Sequence, residues 1–406
     1  MPSTSALTLA AAALFPLALA TSAHAQSNPK QVESVYADGV PIKALEVASG
    51  LDKPWGMTFL PDGRMLVTEL PGKLVVVTQD GAVSQPVKGT PSVFAQGQGG
   101  LMDVALHPDF ERNRMVYLSF AEPGEGGSAG TALGRARLVD GGAEGWRLDG
   151  WEVIWRQEKV EGPNHFGNRI VFTPDGEHLF LALGERFKFG PAQDLSNTLG
   201  TVIRLNADGS IPRDNPFVGQ AGADGAIWSY GHRNIEAAAL QPETGQLWVV
   251  EMGPLGGDEL NAVEPGGNYG WPVVSWGINY DGVKIPDPTE YPQYKDAAYH
   301  WSPVRSPSGM IVYTGDMFPQ WKGDILFGAL SAGGVERVDM ENGRVAGTQF
   351  LPFNTRIREV EQGPDGAVYL LTNDREHGKG AVWRLEPMEV RPASADGDRS
   401  GPGSAN

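Results

Sequence analysis

Six copies of one hairpin signature in a chain of 406 residues, with little helical periodicity between them, predict an all-β fold: a six-bladed β-propeller with inserted loops. Each copy is a short alternating or apolar run, a turn in which Pro sets φ and Gly supplies the permissive position, and a second β-rich run. The turns fall at Asp62, Asp109, Asp175, Glu243, Pro319 and Asp365, so successive copies are 47, 66, 68, 76 and 46 residues apart. A minimal four-stranded blade takes about 40 to 50 residues, so three of the blades carry insertions. Stacked sandwiches are the competing architecture, and they rarely need so long a chain.

The elements follow in order. Residues 1–25 hold an apolar run broken by Pro16 and close on Ala23-His24-Ala25, a small-x-small pattern that reads as a cleaved export signal, although its start has no Lys or Arg. Pro16 and the Ala-rich composition make it a poor membrane span, so no stable membrane insertion is expected. The hairpins are WGMTFLPDGRMLVTE, VALHPDFERNRMVYLSF, RIVFTPDGEHLFLALGE, AAALQPETGQLWVVEMG, SGMIVYTGDMFPQWKGDILFGAL and REVEQGPDGAVYLLTND. Residues 26–388 are therefore expected to form the propeller. The tail 389–406, rich in Gly, Pro, Ser and Asp, is expected to be disordered.

Composition narrows the function. A net charge of -17 and a pI near 4.8, with Lys and Arg scattered, argue against a nucleic-acid or anionic-membrane partner. The chain has no Cys, which excludes disulfides, thiolate metal sites and cysteine nucleophiles and is compatible with an oxidising compartment, periplasmic or secreted. No G-x-G-x-x-G opens a βαβ unit, so a nicotinamide enzyme is not expected.

Equivalent points in a repeat occupy equivalent places around the axis. Counting back 7 to 11 residues from the turns reaches Gln98, His165, Arg233, Arg356 and Arg358, none of them core residue types. At the starts of the innermost strands these side chains would ring one mouth of the channel. Three arginines there imply a multiply anionic ligand. His165 among cations would have a lowered pKa and stay neutral, the form a general base needs. The alternatives are a structural histidine and, for Arg356 and Arg358, a solvated pair on one strand face.

The stretch Trp228 to Trp271 adds oxygen chemistry. Arg233 and Asn234 leave a Gly turn, and Gly253-Pro254, Asp258, Glu259 and Tyr269 supply the carbonyl, carboxylate and phenol oxygens that a hard cation prefers. A fixed cation beside a calcium-type site suggests an anionic cofactor. The plain alternative is that Arg233 pairs with a surface carboxylate and the Gly-rich part only turns.

From about Leu51 to Leu385 the chain resembles the soluble pyrroloquinoline-quinone (PQQ) dependent sugar dehydrogenases, specifically the aldose sugar dehydrogenase branch. The resemblance rests on PWGMTFLPDGRMLVTE, GQGGLMDVALHPDF, NHFGNRIVFTPDG, GHRN, EMGPLGGDELN, GGNYGWP and RIRE in that order. It implies a six-bladed propeller with PQQ and calcium at the channel mouth. His165 then resembles the general base, Gln98 a substrate or cofactor contact, and Arg233 and Asn234 quinone ligands. Arg356 and Arg358 resemble the pair that holds the cofactor carboxylates, with Tyr280 a further contact. The residues matching Gly253 and Pro254 give backbone carbonyls to the cofactor's calcium, and Glu259 and Tyr269 match a second, structural calcium site. Ser331 stands where glucose-oxidising members have a lysine near the cofactor, and Asn164 where they have an aspartate, which favours a broad aldose range over glucose alone.

The resemblance implies oxidation of a cyclic aldose at C1 to a lactone, with electrons passed to an external acceptor by a monomer or homodimer. Two other classes stay open: a calcium-dependent propeller lactonase or hydrolase, and a non-catalytic propeller that binds sugars or proteins. A base at the mouth argues against the second, and arginines in place of side-chain carboxylates argue against the first.

Overall fold

The computed structural model describes residues 30–37, 39–374 and 378–388. The expected leader 1–25 and tail 389–406 lie outside them. The innermost strands of the six blades are Pro54–Phe59, Leu101–Leu106, Gly167–Phe172, Ile235–Leu240, Pro307–Val312 and Ile357–Gln362. Each touches the next, and the sixth touches the first, so the ring closes into a six-bladed β-propeller. Every turn predicted from the sequence joins an innermost strand to the second strand of its blade.

The blades are less uniform than the repeat suggests. Blade 1 has three strands (Pro54–Phe59, Met65–Glu69, Lys73–Val77), with its outer edge bonded by the following loop through Ser84 N to Val76 O and Val87 N to Leu74 O. Blade 6 has five, because Lys30–Ala37 and Val40–Asp52 pair onto Lys379–Pro387. The first strands among the described residues thus complete the last blade, which stitches the ring shut.

Apolar residues are buried between blades and not on the axis. One cluster fills each of the six interfaces, for example Ile311, Leu326 and Val335 of blade 5 against Ile357, Val368 and Leu370 of blade 6. The axis is left to polar side chains. All six innermost strands carry a register shift within their first residues, a β-bulge that breaks the in-out alternation and re-aims side chains.

Candidate active site

The loop ahead of blade 3's innermost strand carries His165, held at φ 51° and almost wholly buried. Its Nδ1 lies 2.6 Å from Glu185 Oε1, and its backbone N donates to Gln98 Oε1 at 2.6 Å. Glu185 is fully buried at the end of the same blade's second strand, and its other oxygen accepts the backbone N–H groups of Lys188 and Phe189. A carboxylate on Nδ1 makes that atom the donor, which leaves Nε2 unprotonated. Burial holds the His165 pKa below the usual imidazole range, opposed by the bond to Glu185 and aided by the charge of Arg233. The shift has the direction expected from the sequence, but burial is its main cause, and Arg233 is the arginine that adds to it.

Arg186 straps this loop down. Its guanidinium stacks on Phe166 at 3.6 Å and donates to the backbone carbonyls of Asn164 (2.9 Å), Ala129 and Gly162. Burial pushes its pKa down to about 10. Arg186, Phe187 and Phe189 all have φ near 60°, a costly backbone for side-chain-bearing residues that the surrounding bonds must hold. Phe187 packs edge-on against His165 at 5.0 Å between ring centres, with Tyr280 6.4 Å further along.

The other predicted residues join one hydrogen-bonded circuit around the mouth. Arg233 donates its backbone N to Glu251 Oε2 at 2.6 Å; its Nη1 bonds the carbonyls of Met252 and Gly253, and its Nη2 bonds Tyr280 Oη at 3.0 Å. Asp258 accepts from the backbone N of Gly253, Arg305 and Ser306, so it ties loops together and is not a free cation ligand. Burial pushes its pKa up to about 6. Ser306 Oγ lies 2.7 Å from Ser331 Oγ, and Arg356 bonds the carbonyl of Leu330 next door. Asn234 is fully buried: its oxygen accepts from Gly167 N and its amide donates to Glu236.

Arg358 sits apart from the expected arrangement of uncompensated cations. Its Nη1 is 2.7 Å from Glu236 Oε2, and burial lowers its pKa. Deeper on the axis Arg169 is shared between Glu359 and Asp103 and lies 4.1 Å over the Trp55 ring. Among the described residues, the buried donors without an acceptor include Arg233 Nε and Arg358 Nε. Unpaired buried N–H groups on two arginines fit an acceptor-rich anionic ligand.

Behind Arg233 lies a cavity of about 10 Å³ bordered by Glu251, Gly253, Glu259, Tyr269, Trp271 and Ser275, room for one water-sized particle. The Tyr269 hydroxyl is spent between Ala262 O at 2.6 Å and Glu264 N at 2.9 Å, so only its carbonyl could serve a cation. Burial, then the charge of Glu251, push the Glu259 carboxyl well above the usual range. Such a carboxylate and the oxygen-rich wall fit a hard cation. Among the described residues no three His, Asp or Glu side chains gather as a metal cage.

Sequence reasoning missed Glu185, Arg186, Phe187 and Glu236. A signal for the first existed: Glu69, Glu185 and Glu251 all stand at or just past the end of a second strand. Each accepts from the segment just ahead of an innermost strand, at Asp52 N, the His165 ring and Arg233 N respectively.

Fold and mouth together define a six-bladed propeller whose axial mouth gathers arginines, buried carboxylates and a histidine, and comparison with known proteins places it among sugar oxidoreductases. The family model described as Glucose / Sorbosone dehydrogenase matches residues 51–384. The aldose sugar dehydrogenase YliI of Escherichia coli K12 is 42% identical over 348 residues, covering 83% of this chain and 91% of that protein. A crystal structure of a glucose dehydrogenase superposes with a TM-score of 0.80 at 44% identity, covering 84% of this chain and 98% of that one. The PQQ-bound aldose sugar dehydrogenase of Streptomyces coelicolor superposes with a TM-score of 0.69 at 27% identity, covering 89% and 100%. The chain belongs to the glucose/sorbosone dehydrogenase family, whose aldose sugar dehydrogenases oxidise sugars.

Proposed function

We propose that the protein oxidises cyclic aldoses at C1 to lactones with PQQ and calcium, and that its substrate range is broad. The observation that carries the reading is the buried His165–Glu185 pair beside two arginines with unsatisfied donors. A PQQ-bound relative of the same family supports the cofactor.

When bound, PQQ supplies a two-electron acceptor and calcium a Lewis acid. The residues that would hold PQQ are Arg233, Arg356 and Arg358, with Tyr280 at the rim. The carbonyls of Gly253 and Pro254 would face its calcium, and Glu259 with the Tyr269 carbonyl would hold the second ion. Gly253 O already accepts from Arg233 and keeps a second lone pair. His165 takes the proton of the C1 hydroxyl on Nε2, and Glu185 stabilises the imidazolium that forms. Gln98 fixes the backbone of the base, and Phe187 shields one edge of the ring from water. Asn164 and Ser331, small and uncharged, leave the rim undemanding, which favours several aldoses over one. Export to the periplasm or beyond, by the leader, completes the reading.

The test is an absorbance titration of apo-protein with PQQ and calcium, followed by aldose-dependent reduction of an artificial acceptor. Turnover requiring both is expected. Turnover with NAD alone, or an inactive protein after loading, overturns the proposal.

A further inference from the structure

We propose that Glu236 is a built-in rival for the anion that Arg358 receives, and that it sets the affinity of the mouth for a carboxylate-bearing cofactor. The inference rests on the reading of the mouth as a PQQ site and concerns what this chain's own residue does there.

Glu236 is the second residue of blade 4's innermost strand, at the bulge, and is 4% exposed. Its Oε2 takes Arg358 Nη1 at 2.7 Å, its Oε1 takes Asn234 Nδ2 at 3.1 Å, and its backbone carbonyl takes Arg169 Nε at 2.7 Å. Arg358 belongs to blade 6, so the ion pair passes over blade 5. Blade 5 lies close to the axial carboxylates at Gly309, where an added Cβ would fall 1.5 Å from Glu359 Oε1.

Arg169 already serves Asp103 and Glu359, and the carboxylate hydrogen-bonded to Arg358 is Glu236. A ligand carboxylate arriving at Arg358 must share the guanidinium with Glu236 or displace it, and meets a like charge at close range in either case. The pair keeps a buried cation compensated while the mouth is empty, and this compensation weakens the incoming ligand. Glu236→Gln removes the rival charge and keeps one oxygen, which can accept from Arg358 or from Asn234 but not from both. PQQ should then bind about tenfold more tightly.

The experiment titrates PQQ, at fixed saturating calcium, into apo wild type, E236Q, R358A and the double variant, and reads binding by absorbance without sugar or acceptor. Tighter binding by E236Q that disappears in the R358A background supports the proposal, since the effect must pass through Arg358. Equal or weaker binding by E236Q, or the same gain with Arg358 absent, overturns it. Failure of wild type to bind PQQ overturns the functional reading and this inference together, a distinct result. If E236Q does not fold, E236D replaces it: drawing the carboxylate back by one methylene should tighten binding by a smaller factor, and unchanged binding refutes the proposal.

Discussion

Replacing Glu185 by glutamine tests whether the imidazole is positioned for catalysis or merely buried. The Glu185 side chain is wholly enclosed, its Oε1 lies 2.6 Å from His165 Nδ1, and its Oε2 holds the Lys188 and Phe189 amides. Glutamine has one oxygen for these two tasks. With that oxygen on the loop, the amide donates to Nδ1, moves the imidazole proton to Nε2 and removes the basic atom. With it on the ring, the imidazolium formed in the reaction loses a charge-assisted partner of about 1.5–3 kcal/mol, or about 10- to 100-fold in kcat. The tautomer route costs more, up to about 10⁴-fold by analogy with an orienting carboxylate in serine proteases. The sign of the pH effect separates this from a packing defect. Glu185 raises the His165 pKa against burial, so its loss lowers that pKa further. The acid limb of kcat/KM should therefore move to lower pH while the plateau falls. The assay is aldose-dependent dye reduction at saturating PQQ and calcium from pH 4 to 9, with the melting temperature as control. A folded E185Q protein within about threefold of wild-type kcat, its acid limb unmoved, would refute the reasoning.

His165→Ala deletes the base but none of the arginines, so kcat should fall by about two to four orders of magnitude with PQQ affinity little changed, measured by titration and then turnover. Glu361→Gln addresses the axis. Two residues beyond Glu359, Glu361 shares its strand face, and burial, then the charges of Glu359 and Asp103, raise its carboxyl well above 4.5. A raised carboxylate pKa leaves stability intact below about 4.5 and subtracts from it as pH rises through the folded value. E361Q should accordingly melt a few degrees above wild type at pH 8 and at the same temperature at pH 4; a lower melting temperature at pH 8 would count against it.

The ring of mouth residues was legible in the sequence because two local rules meet at it. Pro-Asp-Gly-type turns mark the far end of every innermost strand, and strands of nearly constant length carry that mark back to the near end. Gln98, His165, Arg233 and Arg356 could be found by counting for that reason. The three-stranded first blade and the N-terminal closure of the sixth could not, since pairing of Val40–Asp52 with Lys379–Pro387 is decided by proximity after folding.

Charge compensation was illegible for a sharper reason. Counting residues along a strand assumes strict alternation, and all six innermost strands break it with a bulge in their first residues. At that bulge Glu236 turns to meet Arg358 from 122 residues away in the chain. An unbulged reading puts Arg356 and Arg358 together on one face as a bare cationic pair. The observed strand gives Arg358 a carboxylate and leaves Arg356 beside the Leu330 carbonyl at the rim. The two arginines should therefore contribute unequally to anion binding, and a sequence in which the residue after RNI were neutral would lack the compensation altogether. The same bulges admit Asp103, Arg169 and Glu359 to an axis that apolar residues would otherwise fill, so what hid the site's electrostatics from the sequence is also what makes a polar channel possible.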